Sequence, residues 1–486
     1  MTSGQKDNRL EVKFEDSEPF ARALDEADAL AAFRSEFKIP EQDGVPCVYM
    51  AGNALGLQPQ GVKDYIEQEL LDWASLGVEG HLHAKSPWLP YHENLTDSTA
   101  RLVGGLPHEV VVMNSLTVNL HLMMISFYRP TAKRYRILIE GGAFPSDQYA
   151  VASQVKLHGY DPAEAVIELM PRNGEETIAP EDILALLERE GHSIALVMLG
   201  NCNYLTGQVF DMEAITAAAQ AQGCLVGFNL AHGAGNLELR LHDWGVDFAV
   251  WCSYKYLNAG PGAIAGCFVH ERHGHSFDLP RLAGWWGHDK ATRFQMGPVF
   301  MPMQGAEGWQ LSNPPIFQLA ALRASMALFD RAGMAPLRKK SELLTGYMEF
   351  LLNKMPHGAC RIITPSQSAA RGCQLSVRVA GQPKEVVAQL KTMGAICDFR
   401  EPDIIRVAPA PLYNSFVDVW RFASLLSGLL QQSSRLGSLS VASENPACGN
   451  GTGSPASMQT AAVRGIEAAE PAQKDEVSEP TGSELL

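Results

Sequence analysis

Between residues 110 and 269 the chain alternates short, almost wholly apolar runs with stretches whose apolar positions recur every three or four residues. The runs at 110–113, 136–140, 195–200, 225–229, 248–252 and 263–269 are rich in Val, Ile, Leu and Phe. Runs of that length and content predict strands buried on both faces. The segments 118–127, 180–190 and 212–222 carry helical spacing instead. Strands alternating with helices predict βα units, hence an α/β fold with a mostly parallel sheet flanked by helices. A helix-prone stretch from 317 leads to a second α/β segment, with a strand at 373–379, a helix at 383–393 and a strand at 405–409. Residues 21–37 are amphipathic. After Phe422 there is no aromatic residue, and from 433 the chain is rich in Ser, Gly, Ala, Pro and Glu without a period. Such a segment buries too little apolar surface to offset its ordering entropy, so it is expected to be disordered. The expected organisation is an N-terminal helical or coil arm (1–45), a large ligand-binding domain (46–320), a smaller C-terminal α/β domain (321–432) and an acidic tail (433–486).

Composition narrows the function. A chain of 486 residues with 46% hydrophobic and 19% charged residues has the content of an ordinary globular enzyme. Its net charge of −15 argues against binding nucleic acid or an anionic membrane, both of which need basic patches. No apolar run approaches the ~18 residues of a membrane span. The charged N-terminus lacks a signal core, so the expected compartment is the cytoplasm. The nine cysteines form no CxxC pair and are expected to be free thiols. His270, His273 and His275 are close in sequence, but no carboxylate or cysteine completes a ligand set, so no metal is expected.

Four candidate sites fall where apolar runs end. Lys255 follows the run 248–252 and lies between Tyr254 and Tyr256. A lysine that forms a Schiff base must lose its proton readily, although a lysine after a strand is more often a surface residue. Asn114-Ser115-Leu116-Thr117 opens a helix after 110–113, which suits an anion or simple N-capping. Phe144-Pro145-Ser146-Asp147 follows 136–140 and a Gly-Gly turn, as a ligand-binding edge or as a plain turn. Asn229 and His232 end the run 225–229, His232 being either a ligand contact or a core histidine. In a parallel sheet these four junctions share one edge. An anion site, an aromatic ring, a carboxylate and a strand-end lysine together make a pocket for pyridoxal 5′-phosphate (PLP).

Several long motifs then make the chain recognisable. YMAGNALGLQP (49–59), NSLTVNLHLMM (114–124), AFPSDQYA (143–150), LHDWGVDFAVWCSYKYLNAGPGAIAGCFVHERH (241–273), GWWGH (284–288), LSNPPIFQL (311–319) and IRVAPAPLYNSF (405–416) occur in order. Over roughly residues 30–430 the chain resembles kynureninase, a fold-type-I PLP enzyme. The resemblance implies hydrolysis of the Cβ–Cγ bond of L-kynurenine and 3-hydroxy-L-kynurenine to anthranilate or 3-hydroxyanthranilate and L-alanine, in tryptophan catabolism and NAD synthesis. It implies a homodimer with shared active sites. It makes Lys255 the Schiff-base residue and Tyr254 the candidate proton donor. Leu116, Thr117 and Tyr254 would hold the phosphate, with Trp285 and Asn313 from the dimer interface. Phe144, with Pro145 and Ser146 beside it, would stack on the ring. Asp147 and position 229 would address the ring nitrogen, and His232 would lie against the ring. His81 and Asn313 would meet the substrate's aryl end, and Arg406 its α-carboxylate.

The chain departs from the family pattern at three places. Asn229 stands where the family has Asp, Ala54 where it has Ser, and Gly200-Asn-Cys-Asn-Tyr-Leu205 replaces a Pro-Gly-Val-Gln-Tyr-Tyr loop. A carboxylate beside a pyridine nitrogen keeps it protonated, raising its pKa by about 1–3 units, and an amide does not. The leading expectation is therefore a working kynureninase. The alternatives are a PLP-binding pseudoenzyme or impaired paralogue, and another fold-type-I enzyme such as a desulfurase or aminotransferase.

Overall fold

In the computed structural model, which describes residues 13–442 and the side chains of 13–432, the apolar runs form one seven-stranded sheet. The arm contributes helix α1 (Glu18–Glu26), and the short strand β1 (Val48–Tyr49) and α2 (Val62–Leu76) follow it. The sheet strands are β2 (Val110–Val112), β3 (Arg136–Glu140), β4 (Val166–Leu169), β5 (Ile194–Gly200), β6 (Leu225–Asn229), β7 (Phe248–Trp251) and β8 (Gly266–Val269). Their spatial order is β2-β8-β7-β6-β5-β3-β4. The pairs β7/β6, β6/β5, β5/β3 and β3/β4 are parallel, and β8 runs antiparallel to both neighbours. Central strands β5 to β8 are almost wholly buried, which is why they read as unbroken apolar runs. The edge strand β4, half exposed and interrupted by Glu168, was not expected from the pattern.

Helices α3 (Leu116–Phe127), α4 (Pro145–Leu157), α5 (Pro180–Glu190) and α6 (Met212–Ala221) connect these strands. Two cores lie on the sheet. Side chains alternate across it: Phe228 and Trp251 fall in one core, Phe248 and Val250 in the other. Gly266 is small for a reason, since a Cβ there would lie 2.1 Å from the buried Trp251 indole.

Beyond α7 (Ile316–Ala332) and α8 (Met334–Asn353), a second sheet forms from β9 (Cys360–Ile362), β10 (Leu375–Val379), β12 (Asp398–Arg400) and β13 (Ile404–Val407). Its order is β9-β10-β13-β12, antiparallel throughout. Between β10 and β12 lie α9 (Pro383–Thr392) and β11 (Ala395–Ile396), which pairs in parallel with β1. The core of this layer therefore draws on both ends of the chain: Ala21, Val48 and Met50 pack with Leu344, Tyr347, Val377 and Phe422. Asp25 ties the same ends together, accepting from the backbone N–H groups of Phe416 (2.6 Å) and Val417 (3.1 Å) at the start of α10 (Phe416–Ala442).

Two expected boundaries fall inside helices. The division at 320/321 lies within α7, and the tail boundary at 433 lies within α10. The rest of the expected tail, 443–486, is outside the described residues. The amphipathic stretch 21–37 is not one helix, because α1 ends at Glu26 and a separate 3₁₀ turn covers Ala31–Glu36. Among the described residues eight cysteines are free thiols, and no helix is long and apolar enough to cross a membrane.

Candidate functional site

Four of the strand-to-helix junctions meet around one cavity of about 200 Å³. At the first, Asn114 adopts a left-handed conformation (φ 50°) that turns the chain from β2 into α3. Its amide is held by Asn119 at 3.0 Å. Ser115 caps α3 without a side-chain hydrogen bond, so the first N–H groups of the helix remain available. The second junction starts α4 after β3, with Pro145 in the first turn, where its missing N–H is tolerated. The two helix starts face each other, and the Thr117 and Ser146 hydroxyls lie 3.0 Å apart. Two helix N-termini with hydroxyls between them favour an anion.

Asp147 and Asn229 form the third element. Asn229 Nδ2 donates to Asp147 Oδ2 at 2.7 Å, and Ala231 N–H donates to Asn229 Oδ1 at 2.9 Å. Both amide atoms are thereby used, and their orientation is fixed. Burial pushes the Asp147 carboxyl up to about 6, against the hydrogen bond from Asn229 and the charge of Lys255.

Lys255 is delivered by the turn that follows β7. Its Nζ lies 3.0 Å from His232 Nε2 and 5.9 Å from the centroids of both the Phe144 and Tyr254 rings. Burial lowers its pKa, which frees the amine for chemistry. Burial also holds His232 well below the usual histidine range, and its Nδ1 is buried without a partner. The Tyr254 phenol is raised by burial and stays protonated. The motif around Gly56 closes over this turn: Gly56 N–H donates to the Tyr254 carbonyl at 2.8 Å, and a Cβ at 56 would lie 2.2 Å from the Lys255 carbonyl oxygen.

Leu116, Thr117, Phe144, Ser146, Asp147, Asn229, His232, Tyr254 and Lys255, all expected from the sequence, therefore line one cavity. Five expected residues do not: Pro145, His81, Trp285, Asn313 and Arg406. Pro145 is exposed at the start of α4. His81 is half-buried, with Nδ1 3.0 Å from the Val78 carbonyl and its ring edge-on to Trp88. Trp285 is 41% exposed and donates to the Arg293 carbonyl at 3.2 Å. Asn313 is exposed before α7. Arg406 is buried and reaches the cavity wall through Tyr204, whose carbonyl accepts from Nη1 at 2.6 Å.

The lining also includes Ser115 of the expected anion motif, Gly200, Cys202 and Tyr204 of the divergent loop, and two residues not anticipated, Glu140 and Ala231. Glu140 ends β3, and both its oxygens accept from Gly200 N–H, at 3.0 and 3.2 Å. Burial pushes its carboxyl up to about 8, with Asp147 adding to the shift. A carboxylate closing an apolar run was the available signal. The divergent loop 200–205 supplies three of the lining residues, and Tyr204 packs edge-on against Phe144 (5.2 Å, 82°). Between them Asn201 is fully buried with both amide atoms unpartnered. His270 Nδ1 accepts from Arg272 N–H at 3.2 Å, and His273 Nε2 lies 2.7 Å from Asp247. His270 also groups with Glu109 and His242, their ligand atoms within 4.8 Å of one another, so a carboxylate that the sequence did not show does stand beside it.

This donor set fits PLP. There is an anion cradle at two helix starts, an aromatic ring, a carboxylate, an imidazole with a free buried nitrogen, and a buried amine whose pKa is lowered.

Comparison with known proteins gives a consistent answer. A sequence profile described as "Kynureninase C-terminal domain" matches residues 337–426. The chain is 68% identical over 416 residues to a protein named kynureninase from Myxococcus xanthus (strain DK1622), covering 85% of this chain and 98% of that one. It is 62% identical over 410 residues to the kynureninase of Koribacter versatilis, covering 84% and 97%. It is 49% identical over 422 residues to that of Flavobacterium psychrophilum, covering 86% and 99%. Among solved structures, an apo cysteine desulfurase from Thermococcus onnurineus NA1 superposes with a TM-score of 0.67 at 16% identity, covering 79% and 95%. The cysteine desulfurase CsdA of Escherichia coli gives 0.68 at 18%, covering 84% and 98%. At that identity the likeness concerns the fold alone.

Proposed function

The chain belongs to the kynureninase family and has the fold of the fold-type-I PLP enzymes, and from that premise we propose a residue-level account of how it hydrolyses the Cβ–Cγ bond of kynurenines. Bound PLP supplies the electron sink. Lys255 is the amine that would hold the cofactor, and it would afterwards move the substrate's Cα proton. Its burial supports both roles, since each needs the neutral form. The first turns of α3 and α4, with Leu116, Thr117 and Ser146, would hold the phosphate. Phe144 and His232 would contact the ring, and Asp147 would address its nitrogen. Water adds at the side-chain ketone, the Cβ–Cγ bond breaks, and the aryl acid leaves. Tyr254, protonated and beside Lys255, returns a proton to Cβ, and alanine is released. Arg406 takes the α-carboxylate.

The observation that carries this reading is the convergence in one cavity of Lys255 Nζ on His232 (3.0 Å), Asn229 on Asp147 (2.7 Å) and Thr117 on Ser146 (3.0 Å). The exposed Trp285 and Asn313 and the half-buried His81 lie outside it. We read them as contributions to the cavity of a second subunit in a homodimer, His81 and Asn313 meeting the aryl ring and Trp285 the phosphate. The cytoplasm remains the compartment that suits this chemistry. Nothing observed favours a non-catalytic role.

The test is direct. Purified protein mixed with PLP should gain a visible absorbance band, and 3-hydroxykynurenine should then give a fluorescent anthranilate-type product. Lys255→Ala should abolish both. No band would defeat the cofactor assignment, and a band without product would defeat the activity.

A further inference from the structure

Arg406 is held in an unusual way for a residue assigned to a substrate carboxylate. The antiparallel pairing of β12 with β13 sets Asp398 opposite Arg406. Arg406 Nε donates to Asp398 Oδ2 at 2.7 Å, Nη2 donates to the same oxygen, and Nη1 donates to the Tyr204 carbonyl at 2.6 Å. The two side chains are only 2% and 6% exposed. Arg400 Nη2 also lies 3.2 Å from that oxygen, so one carboxylate stands between two guanidinium groups and leaves a net positive charge. That charge is felt in the cavity, where Arg406 and Arg400 both oppose protonation of Lys255 and His232.

A guanidinium has five N–H groups in a rigid planar fork. Three are accounted for by Asp398 and Tyr204. The remaining two are one on each terminal nitrogen; where Tyr204 takes the Nη1 hydrogen that points back toward Cδ, they form the outer edge, which matches a carboxylate bidentately. With its inner edge pinned, Arg406 has one orientation for that outer edge. We propose that Asp398 is a positioning residue that pins the Nε–Nη2 edge of Arg406, so that the free Nη1–Nη2 edge is a fixed receptor for the α-carboxylate of the amino-acid substrate. The Tyr204 carbonyl is the second pin, which brings the loop after β5 into substrate recognition. The proposal rests on the assignment of Arg406 to the α-carboxylate.

The experiment titrates the PLP-loaded enzyme with L-alanine and with L-alaninamide, following the cofactor absorbance. Alaninamide keeps the amine and lacks the carboxylate. Asp398→Asn should weaken alanine by roughly 10- to 100-fold, the worth of a hydrogen bond to a charged group, and leave alaninamide unchanged. The KM for kynurenine should rise by a similar factor, with kcat changed much less. Asp398→Glu keeps the charge one methylene further out and should recover part of the alanine affinity. It also carries the test if the Asn variant does not fold, since it should still weaken alanine more than alaninamide. Equal weakening of both ligands would show a structural role and overturn the proposal. So would unchanged alanine binding, or tighter binding, which would make Asp398 a competitor for Arg406. Arg406→Gln separates the two layers of the argument: if it keeps the preference for alanine over alaninamide, the α-carboxylate assignment itself fails.

Discussion

At the scale of single residues, the site mixes groups held away from their usual ionisation. Glu140 is the clearest, with its carboxyl pushed from an ordinary 4.5 to about 8 by burial. An acid raised in this way keeps, in the fold, a proton that the unfolded chain has already released. Stability then falls as pH rises from about 4.5 to about 8, by roughly 1.4 kcal/mol per pH unit. Glu140→Gln preserves an acceptor for Gly200 N–H and cannot titrate. Urea unfolding of the cofactor-free variant at pH 5 and pH 8 should therefore give a flatter dependence than the parent, and parallel losses would contradict it. Asn229 yields a second prediction. It stands 2.7 Å from Asp147 as a donor, so Asn229→Asp puts a second carboxylate there. Each pK unit regained at the ring nitrogen is worth about tenfold, so kcat should rise by at least that order. A steady-state assay showing no change would mean that Asp147 alone suffices. Lys255, Asp147 and His232 were legible in the sequence because each ends an apolar run, and Glu140 carried the same signal. Asp398 was not legible. It lies eight positions before Arg406, and only the pairing of β12 with β13 brings the two together.

At the scale of elements, legibility followed burial. Strands β3 and β6 match the expected bounds at 136–140 and 225–229, because chain buried on both faces must be apolar throughout. Strands β4, β9 and β12 were missed because they are short, partly exposed and carry polar residues. The second sheet thus emerged with two strands instead of four, and the edge that holds Asp398 was lost with it. Central-strand packing makes its own prediction. In Gly266→Ala the added methyl would meet the Trp251 ring at 2.1 Å, and neither β7 nor β8 lies at an edge of the sheet. Overpacking of that kind costs about 1–3 kcal/mol. The urea midpoint should fall accordingly, with little change in KM if the junction carrying Lys255 is preserved.

At the scale of the whole molecule, five of the expected site residues do not line the cavity of their own chain, and three of these, His81, Trp285 and Asn313, are the ones read as reaching a second subunit's cavity. A homodimer with shared sites makes this testable by complementation. Subunits carrying Lys255→Ala and subunits carrying Asn313→Ala, each with little activity alone, are mixed and allowed to exchange. Half the dimers are then mixed, and one site in each is intact, so about a quarter of the parental activity should return. No recovery after verified exchange would place Asn313 in the wrong subunit's site. The second core has another bearing, on how the chain is made. Ala21, Val48 and Met50 leave the ribosome first, yet their packing partners run from Leu344 to Phe422. At synthesis rates of roughly 5–20 residues per second the early segment waits for them on the order of half a minute. Until then its apolar side chains and the open edge of β1 have no native partner. The larger sheet, whose strands are complete by Val269, can assemble meanwhile. If Arg406 on β13 is the substrate-carboxylate receptor proposed above, it would be among the last parts to form, and newly made chains would hold the Lys255 cavity before they could recognise an amino acid.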